Sequence, residues 1–269
     1  MAAALRYRIV NSCAKGPFTG NPICVAEAEP DPALMQPIAT QMALACTVFP
    51  VRDGPDAYRL RLFTPEREVP YAGSPSLAAA WTLGQGVWTQ TSPGAVARIT
   101  VDGDMAWMEQ PEPVLRDIED EAVIEGLGLR SIERMLACQV ASNRFVIAVT
   151  KDDPAGFTPR LDLLTAPATR HGGPALVGAV RLVNEGELHA RFFGPAHGVP
   201  EDPACGAVAG ALGVIMNRFF GAAAKVSIRQ GEEIGHPSLI EVRLEDGRIR
   251  MGGRQVAMGE GVLWPDGAR

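Results

Sequence analysis

The sequence predicts an α+β protein of two pseudo-symmetric domains, each built from a β-sheet and a central helix. A ten-residue segment at 61–70, RLFTPEREVP, recurs at 191–200 as RFFGPAHGVP, and five of the ten positions are identical. Unrelated segments of this length would agree at roughly one position. After each copy, a Pro/Gly turn is followed by a helix-like run of small residues. A repeat at half the chain length is typical of two domains that share one plan.

Length and composition fit this organisation. The chain has 269 residues, 46% of them hydrophobic, which suffices for a normal core. The net charge of -6, without clusters of basic residues, argues against nucleic acid as a partner. No segment approaches the roughly 20 apolar residues of a membrane helix, and the N-terminal apolar run is too short for a signal peptide. We therefore expect a cytoplasmic protein that does not span a membrane.

The first domain is predicted to cover residues 1–111. Apolar spacing predicts a helix over 33–45, with Cys46 at its end, and a small-residue helix over 75–84 that ends at a glycine. Strands are predicted at 7–11, 23–27, 47–51, 58–64, 97–101 and 105–110. The last two form a hairpin around an Asp-Gly turn, which is the strongest short hairpin signal.

The second domain is predicted to cover residues 112–269, after a proline-rich acidic stretch at 111–113. A helix follows in EDEAVIEGLGL, a second helix covers 207–219, and 161–171 is a mixed polar segment. Strands are predicted at 144–150, 188–193, 225–230, 239–244, 248–251 and 255–258. We expect the C-terminal strands near 255–269 to return to the first domain.

The cysteines and histidines predict neither a disulfide framework nor a metal site. The five cysteines are odd in number, widely spaced and never arranged as CxxC: Cys13, Cys24, Cys46, Cys138 and Cys205. This pattern is typical of reduced thiols. The four histidines form no metal-spaced pair.

Several motifs, in order along nearly the whole chain, resemble the phenazine-biosynthesis PhzF-like family. They are VNSCAKGPFTGNPICV, LMQPIATQMALACTVF, RLFTPEREVPYAGSPSLAAAW, RFFGPAHGVPEDPACGAVAGALG, QGEEIGHPSLIEV and RIRMGGRQVAMGEG. The resemblance implies a diaminopimelate epimerase-like fold, with a curved sheet or barrel around the central helix of each domain and an active site between the domains. It also implies cofactor-free proton transfer on a small amino-acid-like or cyclic carboxylate, commonly in a homodimer.

At the catalytic positions the chain departs from the family pattern. The family's glutamate in a Leu-Ser-Glu-Thr motif is replaced by Cys46, its histidine after the first Ala-Gly by Ser74, and its serine after the second glycine by Ala207. His236 stands where the family usually has arginine, whereas Asp202 of the Glu-Asp-Pro motif remains. The usual isomerase chemistry needs a carboxylate that shuttles a proton, so the substitution at Cys46 changes the expected proton carrier.

Cys205 suggests another proton carrier. The string ACG at this residue resembles diaminopimelate epimerases and proline racemases, in which the cysteine is one of two catalytic thiols. Their other cysteine lies where this chain has Ala72, so Cys46 is the candidate for the second thiol. A helix N-terminus stabilises a thiolate, which suits Cys205 for acid/base work. We predict Cys46, Cys205 and Asp202 as catalytic residues; the alternatives are core-filling cysteines and an aspartate that only caps a helix.

Five further residues are predicted to bind substrate. Glycines at two helix starts, Gly73 and Gly206, let the backbone approach a ligand, and the N–H groups beside them, at Ser74 and Ala207, suit a carboxylate. Asn21, in Gly-Asn-Pro, is a predicted polar contact. The alternatives are tight turns for the glycines and for Asn21, and a helix cap for Ser74.

Three functions follow from the sequence. The first is an isomerase or epimerase without a cofactor. The second is a catalytically silent relative that binds a small carboxylate, which Ser74 and Ala207 favour because they replace residues able to relay protons. The third is a lyase or dehydratase, which only the two thiols support.

Overall fold

The computed structural model describes residues 4–173 and 175–265 and confirms the predicted α+β class. The helices are α1 (Pro32–Met42), α2 (Gly73–Leu83), α3 (Glu121–Leu127), α4 (Leu161–Arg170) and α5 (Gly206–Phe220). The strands are β1 (Leu5–Ser12), β2 (Asn21–Ala26), β3 (Cys46–Arg52), β4 (Ala57–Phe63), β5 (Glu68–Val69), β6 (Gly86–Ser92), β7 (Ala95–Asp102), β8 (Met105–Gln110), β9 (Val114–Asp117), β10 (Arg134–Val140), β11 (Asn143–Val149), β12 (Leu176–Asn184), β13 (Glu187–Gly194), β14 (Val199–Asp202), β15 (Lys225–Gln230), β16 (Ser238–Glu245) and β17 (Arg248–Leu263). None of the helices within these ranges is long and apolar enough to cross a membrane.

The first half of the chain forms a closed barrel around α2. Its strands pair in the order β1, β2, β3, β4, β6, β7, β8 and β17, and β17 pairs back with β1. The pairs β2–β3 and β4–β6 are parallel. Residues 73–80 of α2 are all buried, since their small side chains fit inside the barrel. Closure leaves the barrel without an exposed edge strand.

The second half repeats this order around α5. Its strands pair in the order β9, β10, β11, β12, β13, β15, β16 and β17, with parallel pairs at β11–β12 and β13–β15. Helix α4 lies between β11 and β12 as α1 lies between β2 and β3. The long strand β17 belongs to both sheets, because residues 248–252 pair with β16 and residues 255–263 pair with β1. The sequence repeat is thus a repeat of structure.

The repeated segment forms a hairpin in both halves, and in each the first arginine makes a bidentate ion pair with a glutamate of the hairpin, although the two glutamates are not at equivalent positions. The guanidinium of Arg61 donates two hydrogen bonds of 2.8 Å to Glu68, and that of Arg191 donates bonds of 2.9 and 2.8 Å to Glu201. Such bidentate pairs fix geometry as well as adding energy. They hold the short strands β5 and β14 against β4 and β13.

Two predictions about the helices are wrong. Helix α1 ends at Met42 because Ala43 adopts the left-handed conformation, with φ of 52°, so Cys46 is the first residue of β3 and not the end of a helix. Residues 161–171 are not a mixed polar segment, since 161–170 form α4. This helix is amphipathic, and Leu164 and Ala168 are buried in a hydrophobic cluster that includes Val123 of α3.

The two C-terminal strands predicted at 248–251 and 255–258 are one continuous strand, β17. The glycines between them, Gly252 and Gly253, do not form a turn. A Cβ atom on Gly252 would lie 2.5 Å from the Trp107 ring, and one on Gly253 would lie 2.7 Å from Cys13 Sγ. The glycines are therefore required by close packing on the strand.

Candidate active site

A cleft of about 330 Å³ lies between the two halves. All eight residues predicted to form the site line this cleft: Asn21, Cys46, Gly73, Ser74, Asp202, Cys205, Gly206 and Ala207. The volume is at the lower end of the range for small-ligand sites. The structure thus brings the predicted residues together, and their individual roles stay predictions.

The N-termini of α2 and α5 meet at the cleft. A Cβ atom on Gly73 would overlap the backbone carbonyl carbon of Gly206, and one on Gly206 would lie 2.6 Å from the Ser74 nitrogen. Neither glycine has a positive φ, so neither is present because of a tight turn. The two glycines instead allow two helix starts to touch.

This contact concentrates hydrogen-bond donors in the cleft. The first turn of a helix leaves its N–H groups without intrahelical acceptors, and the helix dipole makes this end positive. The Gly206 N–H is bound to the Ala204 carbonyl at 2.8 Å. The N–H groups of Ser74 and Ala207 belong to the first turns of different helices and line the same cleft. Such an arrangement is suited to a carboxylate.

Ser74 links the two halves. Its hydroxyl donates to the Ala204 carbonyl at 2.6 Å and is fully buried. The N-cap of α2 is Ala72, and no side chain caps this helix. The alternative that Ser74 is a helix cap is therefore wrong.

Asn21 has one buried atom without a partner. Its Nδ2 donates to Asp202 Oδ1 at 3.1 Å and to the Ala204 carbonyl at 3.4 Å, and these two acceptors set the orientation of the amide. Its Oδ1 is buried and has no hydrogen-bond partner among the described residues. Because buried acceptors are almost always paired, this oxygen suits a donor group on a ligand.

Asp202 is a half-buried carboxylate beside a thiol. Its Oδ1 accepts the N–H of Ala204 at 3.0 Å, and its carboxyl group also accepts a hydrogen bond from the Cys205 thiol. Burial raises the pKa of Asp202 to about 6, although both hydrogen bonds lower it. The N-cap of α5 is Cys205, no side-chain hydrogen bond caps the helix, and the backbone N–H bound by Asp202 is that of Ala204, before the helix starts, so Asp202 does not cap it. A carboxylate of this pKa is ionised at neutral pH and accepts a proton readily.

Cys46 and Cys205 contribute neutral thiols to the cleft. Each is 4% exposed. Burial raises the pKa of both thiols well above the ordinary value, and the charge of Asp202 raises both further. The prediction that the helix N-terminus favours a thiolate at Cys205 is therefore wrong, because burial and the neighbouring carboxylate outweigh the helix dipole. Both thiols are protonated at neutral pH and can donate a proton, and the raised pKa makes each resulting thiolate a strong base that is quickly reprotonated.

The other three cysteines do not line the cleft. Cys13, Cys24 and Cys138 are each at most 3% exposed. Burial raises the pKa of each thiol to about 12. They behave as small hydrophobic side chains of the core.

Arg67 and His197 also line the cleft, and neither was predicted from the sequence as a site residue. Arg67 Nη2 lies 2.5 Å from His197 Nδ1. Both residues are at the seventh position of their repeat copy, so equivalent turns of the two halves touch each other across the cleft. Superposing the two copies about a twofold axis would have predicted this contact.

The remaining carboxylate of the cleft is Glu68. Its two oxygens are occupied by Arg61 at 2.8 Å each. Among the described cleft residues, Asp202 is thus the carboxylate that has no cationic partner bound to it.

Sequence comparison matches the chain to one protein family over nearly its whole length. The family model of phenazine biosynthesis-like proteins, PhzC-PhzF, matches residues 10–262. The trans-2,3-dihydro-3-hydroxyanthranilate isomerase of Pseudomonas fluorescens is 32% identical over 291 residues, which cover 96% of this chain and 98% of that protein.

Solved structures show the same fold. The Bacillus anthracis phenazine biosynthesis protein of the PhzF family superposes with a TM-score of 0.84 at 18% identity and covers 97% of this chain and 99% of its own. A hydroxyproline epimerase from Agrobacterium vitis, solved with bound trans-4-OH-L-proline, gives a TM-score of 0.69 at 11% identity and covers 97% and 92%. The predicted diaminopimelate epimerase-like fold is confirmed.

Proposed function

This chain belongs to the phenazine biosynthesis-like family, and from its cleft we propose that it moves a proton, without a cofactor, on a small cyclic amino-acid-like carboxylate. The predicted class of enzyme, an isomerase, is confirmed by relatives of that name at about 30% identity over nearly the whole chain. One observation carries the finer proposal: the carboxylate–thiol pair of Asp202 and Cys205 shares the cleft with a second thiol, Cys46.

The cleft suits a substrate with an acid group and a nearby hydrogen-bond donor. The N–H groups of Ser74 and Ala207 would bind the substrate carboxylate. The unpaired Oδ1 of Asn21 would accept a hydrogen bond from an amine or hydroxyl group. The relative from Pseudomonas fluorescens is named for trans-2,3-dihydro-3-hydroxyanthranilate, which carries all three groups on one ring. This molecule is the first substrate to test.

In the proposed reaction Asp202 is the base. Its carboxylate takes a proton from a substrate carbon and becomes a neutral acid. The Cys46 thiol gives a proton to the carbon where the rearranged substrate needs one, and the resulting thiolate regains a proton from Asp202 through solvent. The sum is a proton moved within the substrate, with no net change in the enzyme. Cys205 keeps the Asp202 carboxylate in place through its thiol hydrogen bond.

The assignment explains how the chain works without the family's glutamate. Proton transfer needs one group that is ionised at neutral pH and one that is protonated. Asp202, with a pKa of about 6, meets the first requirement. Cys46, whose pKa burial raises, meets the second. Two thiols alone would lack the base.

Proton exchange in deuterated water, followed by NMR, tests the proposal. The panel contains trans-2,3-dihydro-3-hydroxyanthranilate, proline and trans-4-hydroxy-L-proline. We expect wild type to place deuterium in at least one of them and Asp202→Asn to reduce the rate by about 10²-fold or more. Cys46→Ser should also lower the rate, because a hydroxyl is a weaker acid, whereas Cys138→Ser in the core should not.

Three other outcomes would contradict the proposal. Binding of a panel member without exchange would favour the carboxylate-binding relative. Loss of water or ammonia from the substrate would favour the lyase. An Asp202→Asn variant that exchanges protons at the wild-type rate would remove Asp202 from the mechanism.

A further inference from the structure

One buried side chain outside the cleft, Gln110, joins the first half of the chain to the first turn of α5. Gln110 is the last residue of β8 and is 7% exposed. Its Nε2 donates to the carbonyls of Gly206 at 3.0 Å and Ala207 at 3.3 Å, and its Oε1 accepts the N–H of Gly210 at 2.9 Å. The amide thus binds both the carbonyl of Gly206 and the N–H of Gly210, the acceptor and donor positions of the first helical turn of α5.

The helix is built to admit this amide. A Cβ atom on Gly210 would collide with Gln110 Oε1 and lie 2.5 Å from Ile249 Cγ2. Glycine inside a helix costs about 1 kcal/mol relative to alanine. In α5, this residue makes room for the glutamine.

Gln110 also touches the wall of the cleft. Its Nε2 lies 3.3 Å from the hydroxyl of Tyr71, which lines the cleft and in turn donates to Met108 Sδ at 3.2 Å. The amide therefore fixes α5, from the second half, relative to a residue of the first half.

Peptide geometry connects these bonds to the ligand site. The C=O of Gly206 and the N–H of Ala207 belong to one planar trans peptide, so they point in opposite directions. A hydrogen bond from Gln110 to the Gly206 carbonyl therefore aims the Ala207 N–H back along the helix axis, out of the N-terminus. Ala207 is one of the residues that line the cleft.

From these contacts we infer that Gln110 is a positioning residue, which sets the direction of the Ala207 N–H and so the affinity of the cleft for a carboxylate. This inference rests on the carboxylate site in the proposed function. It does not depend on proton transfer, because Gln110 touches neither Asp202 nor the two cleft thiols.

Calorimetric titration with matched probes tests the inference. The carboxylates are anthranilate, proline and trans-4-hydroxy-L-proline, and aniline and pyrrolidine are the counterparts without the acid group. We expect Gln110→Met to raise the Kd of the carboxylate that binds wild type by about tenfold, with the counterparts unchanged. Gln255→Met is the control, because Gln255 is a glutamine of similar burial whose side chain, among the described residues, bonds only the Gly253 carbonyl, at 3.0 Å.

Gly210→Ala provides an independent route to the same effect. The added methyl group displaces the Gln110 amide, and the higher helix propensity of alanine offsets part of the strain against Ile249. The Kd should rise as much as in Gln110→Met. The double variant should bind the carboxylate as tightly as either single variant, because both substitutions remove the same contact.

The outcomes separate three cases. A merely structural Gln110 would lower Tm and leave the Kd of the folded fraction unchanged, which would overturn the inference. The inference would also be overturned if wild type bound none of the carboxylates, or if Gly210→Ala kept the wild-type affinity. Carboxylate binding without deuterium exchange would instead refute the proposed function and leave the positioning role of Gln110 intact.

Discussion

Replacing Asp202 by asparagine is expected to stabilise the protein at neutral pH while it slows the proposed proton transfer. The folded state raises the pKa of this carboxyl group from its ordinary 3.8 to about 6, chiefly through burial. The folded protein thus binds this proton more tightly than the unfolded chain does. Stability from this group is greatest below about pH 4 and is lost as the pH rises towards 6.

The size of the effect follows from the two pKa values. The interval between 3.8 and about 6 corresponds to about 3 kcal/mol of unfolding free energy. Asparagine carries no charge, and its oxygen can still accept from Asn21 and from the Ala204 N–H. The amide nitrogen of asparagine cannot accept a hydrogen bond from the Cys205 thiol, and the loss of this bond offsets part of the gain in unfolding free energy. We expect Asp202→Asn to be more stable than wild type by about 1 to 3 kcal/mol at pH 7.5.

Urea unfolding at pH 4.5 and pH 7.5 measures this difference. The advantage of Asp202→Asn should shrink at pH 4.5. Glu201→Gln is the matched control, because the same change at the neighbouring carboxylate weakens its ion pair with buried Arg191 and should destabilise by about 3 kcal/mol or more. An Asp202→Asn variant no more stable than wild type at pH 7.5, or an advantage independent of pH, would refute the reasoning.

Three further predictions concern the frame of the cleft. Gly73→Ala should destabilise the protein by about 1 to 3 kcal/mol in urea unfolding, because its methyl group would overlap the facing helix. The control Gly16→Ala has open space around it and should change stability by less than about 0.5 kcal/mol. Arg191→Lys should cost at least about 2 kcal/mol and Arg61→Lys less than about 1 kcal/mol in the same assay, because the first ion pair is buried and the second is partly exposed. Gln230→Met should slow deuterium exchange about tenfold, because its amide binds the Asp202 carbonyl and the Cys205 N–H and so holds the backbone that carries the proposed base.

The fold was largely predictable because the two halves encode it twice. The repeat at 61–70 and 191–200 and the small-residue runs after each copy located both central helices. The helix α4 was missed because Pro167 and several polar residues mask its amphipathic pattern, and only tertiary contacts with α3 reveal which face is buried. The domain boundary near 111 stays a prediction.

The site was predictable in its membership but not in its electrostatics. All eight residues chosen from motifs line the cleft. The protonation state of Cys205 depended on burial and on the nearby Asp202, and neither is visible in the chain order. Gln110 carried no signal, because a glutamine at the end of a strand is ordinary until α5 is known to pack against it.

The pH dependence of deuterium exchange tests the central claim, that Asp202 is the base, most directly. With a substrate that exchanges at saturation, the wild-type rate should rise with pH, level off above an apparent pKa of about 6, and stay level through pH 8, because the Cys46 thiol remains protonated there. Asp202→Asn should lose both the rate and the acid limb. A wild-type rate that is independent of pH between 5 and 8, or an acid limb that persists in Asp202→Asn, would contradict the assignment.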